Sequence, residues 1–85
     1  MGARKLNNKL NIISANLSKY RNIRKMSQNA MCNQLALIGV TLYANDIYKI
    51  EHNKRTVKDY ELYAFAKVLN VTCEQLLEDA DKNFI

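Results

Sequence analysis

Eighty-five residues, 48% of them apolar, are enough for one modest core and a single domain. With no proline and only two glycines, Gly2 and Gly39, the chain lacks the residues that turn-dense β architectures depend on. Thirteen Lys and Arg against eight Asp and Glu leave +5, a balance that points towards a polyanionic partner without identifying one.

Other chemistry is also excluded early. Cys32 and Cys73 are far apart in sequence and His52 is the one histidine, so no zinc-ligand spacing exists and no cofactor is expected. The two cysteines read as small buried hydrophobes in a reducing compartment. No apolar run approaches a membrane span, and no apolar segment follows the first basic residues as a secretory signal would require. A bacterial or phage-type cytoplasm is the expected location. Eleven asparagines read as a coding bias rather than as chemistry. No nucleophile, base and orienting acid share a helical spacing, and no glycine-rich loop cradles a phosphate, so no enzyme is expected.

The chain then reads as helices in order. Leu6, Leu10, Ile13, Leu17 and Tyr20 recur at steps of three and four, which predicts a first helix from about Lys5 to Lys25. Ser27 offers a capping oxygen to a second helix over about Gln28–Ile38, with Met31, Cys32, Leu35 and Ile38 at helical spacing. Gly39 is the expected left-handed stop.

Ile47 and Ile50 mark the inner side of a third helix over about 43–52, leaving Ala44, Asn45, Tyr48 and Lys49 on the other side. Asn53 is the expected left-handed residue after it. Asp59 opens a fourth helix with Leu62, Phe65, Ala66 and Leu69 inward, closed by Asn70. Thr72 and Gln75 match a capping box for a fifth, with Leu76 and Leu77 inward. The core is expected over about 6–79, with 80–85 a flexible tail.

Charge is uneven along this order. Residues 1–45 hold Arg4, Lys5, Lys9, Lys19, Arg21, Arg24 and Lys25 and no acid. Residues 46–85 hold six cations and eight acids. The N-terminal block reads either as a solvated helix face or as the charge that holds a phosphate backbone.

The ordered series Ser27-Gln28, Ile47-x-x-Ile50-Glu51, Asn53-Lys54-Arg55 and Leu69-x-Val71-x-x-x-x-Leu76-Leu77 resembles the phage-repressor-like (XRE, Cro/C1-type) helix-turn-helix family. The resemblance covers about Leu17 to Glu78. It implies an all-α, five-helix lambda-repressor-like domain whose third helix enters the major groove of double-stranded DNA. Carried over by position, Ala44, Asn45 and Lys49 are the implied base readers: asparagine suits adenine, lysine suits guanine, and alanine meets a thymine methyl. Gln28, Tyr48, Lys54 and Arg55 are the implied backbone contacts, and His52 is a weaker candidate for the same role. An Arg21–Glu51 salt bridge is implied too, against the alternative of two surface charges.

The sequence departs from the family's shortest pattern in three places. The interval between Cys32 and Ile47 is about five residues longer, which resembles a subgroup with an extended second helix and turn. Asn53 stands where glycine is usual. Tyr43, Ala44 and Asp46 stand where Ser, Arg, Gln or Thr are common. Asp46 would repel a phosphate, favour the helix start, or accept from a cytosine amino group. Tyr43 fits a place packed under the turn as well as one facing DNA.

The resemblance implies a transcriptional regulator, a repressor, reading a pseudo-palindromic operator as a homodimer through the fifth helix and tail (Leu76, Leu77, Phe84, Ile85). The alternative is an antitoxin-like or other protein-interaction module, autoregulatory in some cases. RNA recognition lacks the aromatic-rich strands that stack bases.

Overall fold

The computed structural model describes Leu6 and residues 8–84, with side chains through Lys82. The described residues are helical and contain no strand. Five helices follow one another: α1 Ser14–Ile23, α2 Gln28–Leu37, α3 Ala44–Glu51, α4 Asp59–Leu69 and α5 Cys73–Leu76, with a 3-10 segment at Ala80–Phe84. Ala80–Phe84 were expected as a flexible tail. None of the five helices is long and apolar enough to cross a membrane.

One core joins them. Leu17 of α1, Met31 and Leu35 of α2, Ile47 and Ile50 of α3, Phe65 and Leu69 of α4, and Leu76 of α5 are wholly enclosed. Each contributes about 1.5–3 kcal/mol of transfer free energy. α3 packs against both α1 and α2, so its inner face is fixed from two sides.

The helix ends explain how a chain without proline stops its helices. Lys25 (φ 57°), Gly39 (φ 88°), Asn53 (φ 60°) and Asn70 (φ 54°) are all left-handed. Each stands just after a helix, and the next residue's N–H reaches back to a carbonyl in the helix's last turn: Met26 to Arg21, Val40 to Leu35, Lys54 to Lys49, Val71 to Ala66. This double-bonded ending satisfies carbonyls that would otherwise be orphaned. Gly39, Asn53 and Asn70 were expected stops; lysine at such a position was not.

The largest departure concerns the first helix. It begins at Ser14, not near Lys5. Asn8 is left-handed (φ 63°), and Leu6 and Lys9 exchange two backbone hydrogen bonds in a tight turn. The apolar spacing of Leu6 and Leu10 is helix-like, but a tertiary contact overrides it. The buried Asn11 side chain donates to the carbonyls of Ile50 (3.1 Å) and Arg55 (2.9 Å), and its Oδ1 accepts from the N–H of Ile13. Asn53 answers with Oδ1, which accepts from the N–H groups of Leu10 (2.6 Å) and Asn11 (3.1 Å). The two asparagines clasp the segment before α1 onto the end of α3.

Of the expected dimer surface, only Leu76 and Leu77 have described side chains. Leu76 is fully buried within its own chain and Leu77 is half-buried, because the four-residue α5 is seated in the core. The side chain of Phe84 and all of Ile85 lie outside the described residues, as do Arg4 and Lys5.

Candidate nucleic-acid interface

α3 presents two chemically distinct faces. Ile47 and Ile50 are wholly buried, three residues apart. Asn45, Tyr48, Lys49 and His52 stand outward at steps of three, one and three, which is one stripe of a helix. Ala44, the third implied base reader, is half-buried at the helix start. Asn45 and Lys49 lie one turn apart, about 5–6 Å between their Cβ atoms. Among the described residues neither side chain has a hydrogen bond or an ion pair.

Below this stripe the charges are closed off. Arg21 Nε donates to Glu51 Oε2 at 2.6 Å and a terminal nitrogen donates to Oε1 at 3.0 Å. Its remaining nitrogen donates to the Met26 carbonyl at 2.7 Å. Only 13% of the Arg21 side chain and 4% of Glu51 are exposed, so this is an enclosed two-pronged pair and not two surface charges. The hydrogen bond to Glu51 keeps the guanidinium's pKa above its ordinary value, against the opposing effect of burial. Gln28 joins the cluster: its amide lies 3.4 Å from Glu51 Oε1. This ties the N-terminus of α2 to the C-terminus of α3. Ser27 caps α2 by accepting from the N–H of Ala30 at 3.0 Å.

Asp46 is also engaged within the chain. Its Oδ2 accepts from the N–H of Tyr43 (2.9 Å), and its Oδ1 lies 3.8 Å from Arg55 Nε. Of the three roles open to Asp46, it fills the one at the start of the helix. Tyr43 is 70% exposed and is not packed under the turn.

Arg55, an implied backbone contact, is engaged within the fold. Its two terminal nitrogens each donate to a Glu61 oxygen at 2.9 Å, and one also reaches the Thr56 carbonyl. Glu61 is 2% exposed. Burial pushes its carboxyl towards the neutral form. The Arg55 hydrogen bonds, the Lys58 N–H and the nearby positive charges outweigh that and hold its pKa below the ordinary glutamate value. The chain thus neutralises Arg55 with a group of its own.

A second cluster was not foreseen. The Tyr48 and His52 rings stack at 3.9 Å with an interplanar angle of 23°. His52 Nδ1 lies 2.8 Å from the Tyr48 carbonyl. A carbonyl only accepts, so Nδ1 carries the proton in that bond. Lys54 Nζ stands 5.7 Å from the Tyr48 ring centroid on the exposed side. The four-residue spacing of Tyr48 and His52 is the signal that would have revealed the stack.

Three of the five described cations of the N-terminal half have partners within the chain. Arg21 serves Glu51, Lys19 lies 3.5 Å from Glu78, and Arg24 donates to the carbonyls of Leu69 (2.7 Å) and Asn70 (3.0 Å) at the end of α4. Among the described residues no cluster of His, Cys, Asp and Glu could hold a metal ion. No protein-family model, no curated protein and no solved structure matches the chain.

Proposed function

We propose that this chain is a sequence-specific DNA-binding transcriptional regulator, a repressor, of the lambda-repressor-like helix-turn-helix kind. In this reading α2 and α3 form the helix-turn-helix and α3 lies in the major groove. One observation carries it: α3 turns Asn45 and Lys49 outward with no partner among the described residues, while Glu51 is enclosed by Arg21 and Asp46 is held at the helix start by the Tyr43 N–H. A helix built this way offers donors and an amide to base edges and no repelling carboxylate.

Asn45 and Lys49 read bases, with Ala44 at the edge of the stripe. Gln28, Tyr48 and Lys54 meet the phosphate backbone. Arg55 contributes to that backbone only by exchanging Glu61 for a phosphate. A single α3 reads half a site, so the regulator acts as a two-fold pair with half-sites about 34 Å apart. The test is selection of bound duplexes from a random pool, followed by Asn45→Ala and Lys49→Ala on the selected sequence. Each is expected to lose about 1–3 kcal/mol of discrimination at one base pair. Full discrimination by both variants would overturn the reading.

A protein-interaction role, such as that of an antitoxin-like partner, is the second reading. The exposed apolar surface between α2 and α4 favours it, and the two readings are compatible.

A further inference from the structure

Several large exposed apolar side chains gather in one place. A groove of about 510 Å³ runs between the C-terminal end of α2 and the outer face of α4, lined by Ile38, Val40, Tyr60, Tyr63, Ala64 and Lys67. Ile38, Tyr60 and Tyr63 are 51%, 54% and 59% exposed. A contiguous apolar patch with a polar rim marks an interaction surface more often than chance.

One charged side chain, Lys67, lines the groove. Lys67 Nζ stands 5.6 Å from the Tyr63 ring centroid and Lys58 Nζ stands 5.8 Å from that of Tyr60. Neither amine has a carboxylate within ion-pair distance among the described residues. No acid lines the groove. Glu61 is turned inward to Arg55, and Asp59 lines a separate cleft near Leu6 and Leu77, which Lys58 lines as well.

We propose that this groove docks an acidic amphipathic segment of a partner protein. An apolar side chain of the segment seats among Ile38, Val40 and the two tyrosine rings, and a carboxylate meets Lys67. Exposed tyrosines over an apolar floor are the residue type that anchors such contacts. A second copy of this chain fits less well, because a two-fold contact sets the patch against itself and supplies no acid to Lys67. Nucleic acid gains nothing from the apolar floor.

Two synthetic helical peptides with the same leucine stripe, one flanked by glutamates and one by lysines, test this on the full chain. Tyrosine-ring and methyl NMR resonances are the readout. The glutamate peptide is expected to give saturable shifts at Ile38, Val40, Tyr60 and Tyr63, with affinity about tenfold or more above the lysine peptide. Tyr63→Ala is expected to weaken it about tenfold, and Lys67→Glu to reverse the order of the two peptides. Both positions are exposed, so the fold tolerates the changes. Equal binding of the peptides, shifts elsewhere or no shifts would overturn the proposal. So would a concentration-dependent dimer in sedimentation that Tyr63→Ala abolishes, which would assign the groove to a second copy.

Discussion

The two sides of α3 carry comparable numbers of polar groups and use them in opposite ways. On the inner side Glu51 is held by Arg21 and Gln28, and Asp46 by the Tyr43 N–H and Arg55. On the outer side Asn45 and Lys49 have no partner among the described residues. The formal charge of α3 is therefore a poor guide to the face it shows: two acids and one base by count, but only a base on the outward stripe. The N-terminal half makes the same point in reverse. Its acid-free sequence looks like a phosphate-binding block, yet Arg21, Lys19 and Arg24 are committed to groups of this chain.

The sharpest way to break that contrast is to remove one member of the enclosed pair. Arg21→Ala leaves Glu51, 4% exposed, as a carboxylate without its cation. About 3–5 kcal/mol of stability is expected to go, a large share of what a small domain has. Urea unfolding measures it. The double change Arg21→Met with Glu51→Leu is expected to recover much of the loss, because it removes both charges. A loss under about 1 kcal/mol for Arg21→Ala would place the pair among ordinary surface charges.

Smaller losses are expected from the asparagine clasp. Asn53→Gly keeps the left-handed backbone but deletes the bonds to Leu10 and Asn11. About 1–3 kcal/mol is expected, from stranding partly buried N–H groups. Hydrogen exchange at Leu10 and Asn11 should rise in step. Unchanged protection there would mean that the segment before α1 is held by its apolar side chains alone.

The clasp also shows where sequence reading stopped. Helix stops at Gly39, Asn53 and Asn70, the Ser27 cap and the Thr72–Gln75 box are local chemistry and were legible in the order of residues. The inward Ile47 and Ile50 were legible from their spacing. Asn11 and Asn53 are 42 positions apart, and nothing near either residue announces the other. The same holds for Asn16, whose amide donates to the carbonyls of Leu76 and Glu78. An asparagine-rich composition that reads as coding bias thus includes side chains on which the fold depends. Arg55 shows a related limit. Its motif position implied a phosphate, while the buried acid that claims it sits six residues on.

That acid makes a pH test possible. The folded-state pKa of Glu61 lies below its unfolded value of about 4.3. Its contribution is therefore fully present above that unfolded value and is lost as pH falls through the lower folded value. Unfolding midpoints of the native chain are expected to drop more steeply below about pH 4.3 than those of Glu61→Gln, which starts less stable at pH 7. Parallel acid limbs in the two proteins would mean that Arg55 does not hold the Glu61 proton affinity down.

The gentlest perturbation falls on the outer side and reads binding instead of stability. Lys54 is exposed, touches only the Tyr48 ring, and carries no ion pair among the described residues. Lys54→Ala is expected to change stability by less than about 0.5 kcal/mol. If Lys54 neutralises a phosphate, its removal lowers the slope of log affinity against log salt by about 1, uniformly across DNA sequences. Arg55→Ala is a different experiment, because it exposes Glu61 to burial without a cation and its affinity loss is mixed with partial unfolding. Lys54 therefore isolates the electrostatic part of the proposed interface. An unchanged salt slope, with the fold intact, would leave the phosphate backbone to Gln28 and Tyr48 and move Lys54 off the contact surface.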